Sequence, residues 1–407
     1  MQPRMPHTVF WTWDGRMSWG AYPNHHNITD PDTYIRNYTN QIDFMAAHGI
    51  AAVVVWGFLR ESHGGVDAAR RICDHAAKRG VRVIPGIGVR SYGGFCYETG
   101  RDVVAGEAAR WSLDQLLLQK PEWRAVQADG STRWWSHING DLRPAQHCDA
   151  CPSQFGLRDW YLEGLEWLYR TFAIGGVWLE MGDNGTICQC RTCVDRRGAT
   201  PDRSFGPLSY EDEALWMPVL ARKALELRPD TWVMLCQNLI YDSAMVANPP
   251  RLQSLMPRET ITAWHVQDPG KIDPGKVLDD CDEAEAFAKR LPPPEPRSLG
   301  NVAVWSYGGC WLLWGMDGQA QQRQIAKAVK RAYEMGHSGI CLYGELDDRA
   351  GMSGRKRQNE INYLAMAAFC DDPDLSIEEF EQQYATYLQG SCGRLGTSAS
   401  RPYVVAQ

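Results

Sequence analysis

The sequence has no excess of basic residues and no long apolar run. Lys and Arg number 42 against 49 Asp and Glu, a formal net charge of −7. This balance predicts neither a nucleic-acid partner nor an anionic membrane surface as partner. No uninterrupted apolar segment approaches the ~18 residues of a membrane-spanning helix. The first residues also lack a basic stretch followed by an apolar one, so we expect no secretory signal.

The cysteines lack the pattern of a secreted disulfide framework. There are 13 of them, an odd number scattered along the chain, which favours reduced thiols and a cytoplasmic location. We expect no organic cofactor. The unpatterned segment 396–407 leaves open that the chain docks on a second copy of itself as a homo-oligomer.

Aromatic residues, by contrast, are abundant. The chain contains 17 Trp and 16 Tyr, more than a core of this size needs. Flat apolar rings with polar edges suit the faces of sugar rings. Burial in the core is the other common fate of a tryptophan, and both interpretations stay open at this point.

Short apolar runs alternate with helical patterns along the chain. Strands are predicted over residues 8–14, 50–58, 81–89, 176–180, 231–238, 259–266, 301–309 and 339–346. Eight strand-helix units close a parallel barrel, so we predict an α/β fold, a (β/α)8 TIM barrel. The barrel would occupy residues 1–370, with a loop or lid insertion at 90–152 after the third strand. Residues 371–407 would form an extra C-terminal helix and tail packed on the barrel.

In this fold the chemistry lies at the carboxyl ends of the strands. Alternation along the strands turns Trp178 and Glu180 of strand four, and Glu345 of strand eight, toward the barrel mouth. Apolar neighbours favour the protonated form of Glu180, so we predict it as the acid and Glu345 as nucleophile or base. Asp183 could orient Glu180, bind a cation or cap a turn. Either glutamate could instead pair with a nearby arginine.

Further residues near the strand ends are predicted to contact the substrate. They combine aromatic rings with polar groups, as a carbohydrate pocket requires. These residues are Trp13, Asp14, Trp56, Arg90, Tyr92, Asn238, Trp264, His265, Trp305 and Tyr307.

A cluster of cysteines follows strand four. The spacing C-x-C-x-x-C is formed by Cys188, Cys190 and Cys193. The upstream segment HCDAC offers His147, Cys148 or Cys151 as a fourth ligand, with Cys148 as the prediction. A thiolate-rich tetrahedral site is typical of structural zinc. Three reduced loop thiols without a metal are the alternative.

The strand-four glutamate followed by C-x-C-x-x-C resembles the family-42 β-galactosidases. That resemblance implies an acid/base role for Glu180 and zinc held by the three cysteines with one upstream. Those enzymes carry their nucleophile on strand seven, where this chain has Trp305, Ser306 and Tyr307 and no carboxylate.

Two other stretches resemble glycosidase-like proteins. Residues 362–390 are similar to the helical segment after the barrel of family-67 α-glucuronidases. Those enzymes are inverting and take carboxylate bases from later strands, which implies a base role for Glu345. The segments WGFLRESHGG and PGIGVRSYGGFCYE look like a bacterial group of predicted glycosidase barrels.

We therefore predict a glycoside hydrolase that cleaves a small oligosaccharide or glycoside with paired carboxylates. A carboxylate separation of ~5–5.5 Å would indicate a retaining enzyme and ~6.5–9.5 Å an inverting one. One alternative is a sugar isomerase or epimerase with a cation held by Glu180, Asp183, His265 and Glu345. The other is a carbohydrate-binding barrel without catalysis.

Overall fold

Eight parallel strands, in chain order, close a barrel. The computed structural model describes residues 4–13, 30–57, 59–96, 106–132, 149–180, 187–197, 210–237, 255–265, 299–301, 322–334, 336–343 and 353–385. The strands are β1 (His7–Trp13), β2 (Ala52–Trp56), β3 (Arg82–Gly88), β4 (Gly176–Glu180), β5 (Trp232–Gln237), β6 (Ile261–His265), β7 (Leu299–Asn301) and β8 (Gly339–Tyr343). Pairing of β8 with β1 completes the closure. The predicted fold class is confirmed.

In the described part of the chain, helices lie in the connections from β1 to β5 and on both sides of β8, as a parallel sheet requires. They are α1 (Pro31–Ala47), α2 (Gly65–Arg79), α3 (Leu113–Gln119), α4 (Phe155–Thr171), α5 (Arg191–Arg197), α6 (Tyr210–Leu227), α7 (Gln322–Glu334), α8 (Ser353–Asp371) and α9 (Ile377–Gln383). Among the helices described, none is both long enough and apolar enough to cross a membrane. The seventh strand was predicted over 301–309; β7 ends at Asn301, and residues 302–309 lie outside the described residues.

Successive strand residues divide between two apolar clusters because their side chains point to opposite faces of the sheet. One cluster lies between barrel and helices and includes Leu179, Ile340 and Leu342. The other fills the barrel interior and includes Trp56 and Trp178. The predicted outward direction of Leu179, Ile340 and Leu342 and the inward direction of Trp178 agree with this division.

The inner face of β3 carries glycine where it meets β4. Gly86 is the register partner of Trp178, and Gly88 that of Glu180. A Cβ at Gly86 would lie 2.3 Å from Cδ2 of Trp56, and one at Gly88 would lie 2.2 Å from the Ser91 carbonyl oxygen. The indole of Trp56 and the turn after β3 therefore occupy the space that two side chains would need.

Part of the described insertion after β3 packs in the core. Phe95 and Trp111 are buried, and the Trp111 ring lies 5.7 Å from that of Trp167 on α4. Phe95 contacts Trp160 of the same helix at 5.5 Å. Burial therefore accounts for part of the aromatic excess, and this section of the predicted lid has a packing role.

The C-terminal helix α9 packs on its neighbours in the barrel layer. The ring of Phe380 lies 5.1 Å from that of Phe369 on α8, and Glu381 pairs with Arg323 of α7 at 2.7 Å. A capping box at Ser376 and Glu379 begins the helix.

Candidate active site

Glu180 is the last residue of β4 and is held at both its side chain and its backbone. The residue is 7% exposed, and the indole Nε1 of Trp178 donates a hydrogen bond to its Oε2 at 2.8 Å. The carbonyl oxygen of Glu180 accepts from the backbone N–H of Val89 at 2.7 Å. A carboxylate at the carboxyl end of a barrel strand thus has a defined orientation.

Aromatic rings also line the barrel interior near Glu180. Trp56 and Trp11 lie on the inner wall with ring centroids 6.2 Å apart. Tyr92 meets Trp56 edge to face at 6.0 Å and lies against Gly88, the register partner of Glu180. These contacts bring Trp56, Tyr92 and Glu180 of the predicted site into one region.

The turn after β3 has a strained backbone. Arg90 and Tyr92 have φ values of 61° and 53°, in the left-handed region where a non-glycine residue costs about 1–3 kcal/mol. The Tyr161 hydroxyl of α4 holds this turn: it donates to the Gly88 carbonyl at 2.6 Å and accepts from the Arg90 N–H at 2.8 Å. Burial raises the pKa of Tyr161, so its hydroxyl keeps its proton. Strain held in place by specific hydrogen bonds is typical of functional sites.

The side chain of Arg90 is turned into the insertion. It has no exposed surface, and its Nη1 donates to the Ala150 carbonyl at 3.1 Å. The Ala150 N–H in turn donates to the Arg90 carbonyl at 2.8 Å. This arrangement favours a packing role over the substrate contact that the sequence predicts for Arg90.

Four cysteines could hold a metal ion beside this region. The sulfur atoms of Cys151, Cys188, Cys190 and Cys193 all lie within 4.8 Å of one another. A hydrogen bond with Cys151 lowers the pKa of Cys193, which favours its thiolate form. The backbone N–H of Val126 donates to the Cys188 sulfur at 3.4 Å. Four sulfur ligands with N–H support are what a tetrahedral thiolate site requires.

The fourth cysteine of this cluster is Cys151, which the sequence also offers. Cys148, selected from the sequence, lies outside the described residues. An antiparallel bridge between Arg124 and Ala150 places Cys151 next to the cluster.

A buried ion pair network supports the cluster. Asp212 at the start of α6 pairs with Arg196 and Arg197 at the end of α5. Arg197 also donates to the carbonyl of Cys188. Sequence patterns did not identify this network, because its partners lie in different helices.

Several predicted site residues lie outside the described residues: Asp14, Asp183, Asn238, Trp305, Tyr307 and Glu345. For Trp13, Trp264 and His265 the structure gives only the strand position. Trp13 ends β1 beside Trp56, and His265 ends β6. The roles of these residues stay predictions.

No family model and no curated protein matches the sequence. Solved structures match its fold. A β-N-acetylhexosaminidase from Bacteroides fragilis NCTC 9343 gives a TM-score of 0.53 at 13% identity, covering 97% of this chain and 72% of that one. A further β-N-acetylhexosaminidase gives 0.53 at 11%, covering 98% and 79%. The chain has the barrel fold of these glycoside hydrolases.

The similarity extends to larger enzymes. The chitobiase of Flavobacterium johnsoniae gives a TM-score of 0.52 at 10% identity, covering 96% of this chain and 52% of the chitobiase. The chain therefore spans about half the length of that protein.

Proposed function

We propose that the protein is a glycoside hydrolase with Glu180 as its general acid. The observation that carries this proposal is the buried, oriented carboxylate at the carboxyl end of β4, on the inner face of a closed barrel. Barrel enzymes place their catalytic groups at this end of the strands. Tyr92, which is partly exposed, supplies apolar ring surface for a sugar, and the buried Trp56 packs against it.

The proposed reaction needs two carboxyl groups. Glu180 gives a proton to the oxygen of the leaving group, and burial favours the protonated form that this step requires. We propose Glu345 as the partner that attacks the anomeric carbon or activates water. Proton NMR of the first sugar anomer released would distinguish retention from inversion.

The test is hydrolysis of a panel of aryl and alkyl glycosides. Because the fold is shared with β-N-acetylhexosaminidases, β-N-acetylglucosaminides and β-N-acetylgalactosaminides come first, followed by β-galactosides and α-glucuronides. Glu180→Gln should lower kcat/KM for alkyl glycosides by about 10²–10⁴-fold. The loss should be smaller for nitrophenyl glycosides, because nitrophenolate leaves without a proton.

The matched control is Glu61→Gln, which changes an exposed glutamate in the turn after β2 and should retain activity. Equal losses for alkyl and nitrophenyl glycosides would contradict the acid role. Sugar binding without hydrolysis by the wild-type protein would instead support a carbohydrate-binding barrel.

We also propose that Cys151, Cys188, Cys190 and Cys193 bind a structural zinc ion. Four cysteine ligands complete a tetrahedron and leave no open position for a substrate, which is the pattern of structural sites. The ion would join the segments 124–126, 149–153 and 187–193, which already share backbone hydrogen bonds such as Gln189 N–H to the Val126 carbonyl.

Metal analysis of the purified protein tests this site. We expect one zinc per chain, lost in Cys190→Ser and kept in Cys73→Ser, which changes a buried cysteine of α2. A protein that binds no zinc when zinc is supplied under reducing conditions would refute the proposal.

A further inference from the structure

The inner face of β4 presents two side chains that contact each other. Trp178 and Glu180 are two residues apart, so both point into the barrel. Trp178 is 2% exposed, and its ring belongs to the interior cluster with Trp56 and Met234. The Nε1 to Oε2 distance of 2.8 Å is that of a well-formed hydrogen bond.

The chemistry of the indole determines how the two carboxylate oxygens differ. An indole N–H donates and never accepts a hydrogen bond. Oε2 therefore presents a lone pair to Trp178. Because the carbonyl oxygen of a carboxylic acid is a better acceptor than its hydroxyl oxygen, this hydrogen bond favours the acid form whose proton is on Oε1.

We propose that Trp178 is a positioning residue, which orients Glu180 so that Oε1 carries the proton transferred to the leaving group. This inference rests on the proposed role of Glu180 as the acid. In the reaction the Oε1–H bond breaks and an O–H bond forms on the glycosidic oxygen. The electrons of the C–O bond pass to that oxygen while the anomeric carbon forms a new bond to the attacking carboxylate or to water, which then gives up a proton to the base.

The same hydrogen bond assists the proton transfer. A hydrogen bond to an ionised carboxylate is about twice as strong as one between neutral groups. The indole therefore stabilises Glu180 more after the proton has left than before, which is the condition for lowering the barrier. Burial of the carboxyl group acts in the opposite direction, because desolvation disfavours the charged form.

The contact can be tested without any substrate. In ¹⁵N-labelled protein the indole N–H signal of Trp178 is assigned by its loss in Trp178→Phe. At alkaline pH, where Glu180 is ionised, this signal should shift upfield in Glu180→Gln, because an amide oxygen is a weaker acceptor than a carboxylate. The signal of Trp216, whose indole donates to the Pro152 carbonyl at 3.1 Å, should stay in place. An unchanged Trp178 signal would overturn the inference.

The positioning role is tested with a glycoside that the wild-type protein hydrolyses. Trp178→Phe keeps an aromatic ring and removes the donor. We expect kcat to fall about tenfold, as loss of a hydrogen bond to a charged group implies, with KM changed less than twofold. The alkaline limb of the pH–rate profile should move up by about one pH unit, because the ionised acid loses a stabilising donor.

A merely structural role would lower kcat and leave the pH–rate profile in place, and that result would refute the proposal. If no glycoside is hydrolysed, the proposed function fails. The NMR experiment then still decides whether Trp178 orients Glu180.

Discussion

Asp212 joins two helices through a buried carboxylate. Its side chain is 1% exposed, and its Oδ1 lies 3.4 Å from Nε of Arg197, whose side chain has no exposed surface. Arg196 pairs with the same oxygen. Asp212→Asn preserves the shape of the side chain but removes the negative charge that offsets these two guanidinium groups.

The expected loss of stability follows from this burial. Breaking a buried ion pair from one side costs about 3–5 kcal/mol, because a buried charge loses its counterion. An unfolding entropy of about 2.1 cal/mol/K per residue amounts to roughly 0.85 kcal/mol/K for 407 residues. Asp212→Asn should therefore lower the Tm by about 4–6 °C.

The control is Asp372→Asn, which breaks an exposed ion pair with Arg4 whose side chains are 47% and 43% exposed. Such pairs contribute about 0–1 kcal/mol, so its Tm should fall by about 1 °C or less. Calorimetry of both variants in low and high salt measures the difference, and the Asp212 effect should persist in high salt. If Asp212→Asn is no less stable than Asp372→Asn, the reasoning is refuted.

Two further predictions concern buried titratable or polar groups. Burial lowers the pKa of His337 to about 4, below its unfolded value of about 6.5, so the unfolded state binds the extra proton between these pH values. Stability should fall by about 3 kcal/mol from pH 6.5 to pH 4, and urea unfolding of His337→Gln should show a flatter pH dependence; an identical slope would exclude this cause. Tyr161→Phe removes a hydroxyl that pairs with two backbone groups of the turn after β3 and should cost about 2–4 kcal/mol. In the same urea assay Tyr169→Phe, which removes a single side-chain pair, should cost about 1 kcal/mol; equal losses would contradict the role of the Tyr161 hydroxyl.

The barrel could be predicted from the sequence because its signals are local. A strand buried on both faces is a short apolar run, and eight such runs separated by helical patterns admit few other folds. Strand alternation also decided which side chains of β4 and β8 point outward. The inward direction of Trp178 was predicted this way, but its hydrogen bond to Glu180 depends on a ring rotation that no pattern encodes.

The turn after β3 shows what local reasoning leaves out. An arginine at a strand end resembles a substrate ligand, and Arg90 was assigned that role. Its burial depends on Ala150, which lies 60 positions further along the chain. The choice of the fourth cysteine ligand also depends on a contact that is distant in the sequence. Spacing cannot choose among the three candidates His147, Cys148 and Cys151, whereas the bridge between Arg124 and Ala150 places Cys151 beside the other three cysteines.

The tight contact between Gly86 and Trp56 restricts which substitutions these two positions can accept during evolution. With the indole in place, residue 86 has no room for a Cβ, and any larger residue there requires a smaller one at position 56. Substitutions at positions 56 and 86 should therefore be coupled, although the two residues lie on different strands. Relatives that retain the tryptophan should retain the glycine, and those that lose one should have replaced the other.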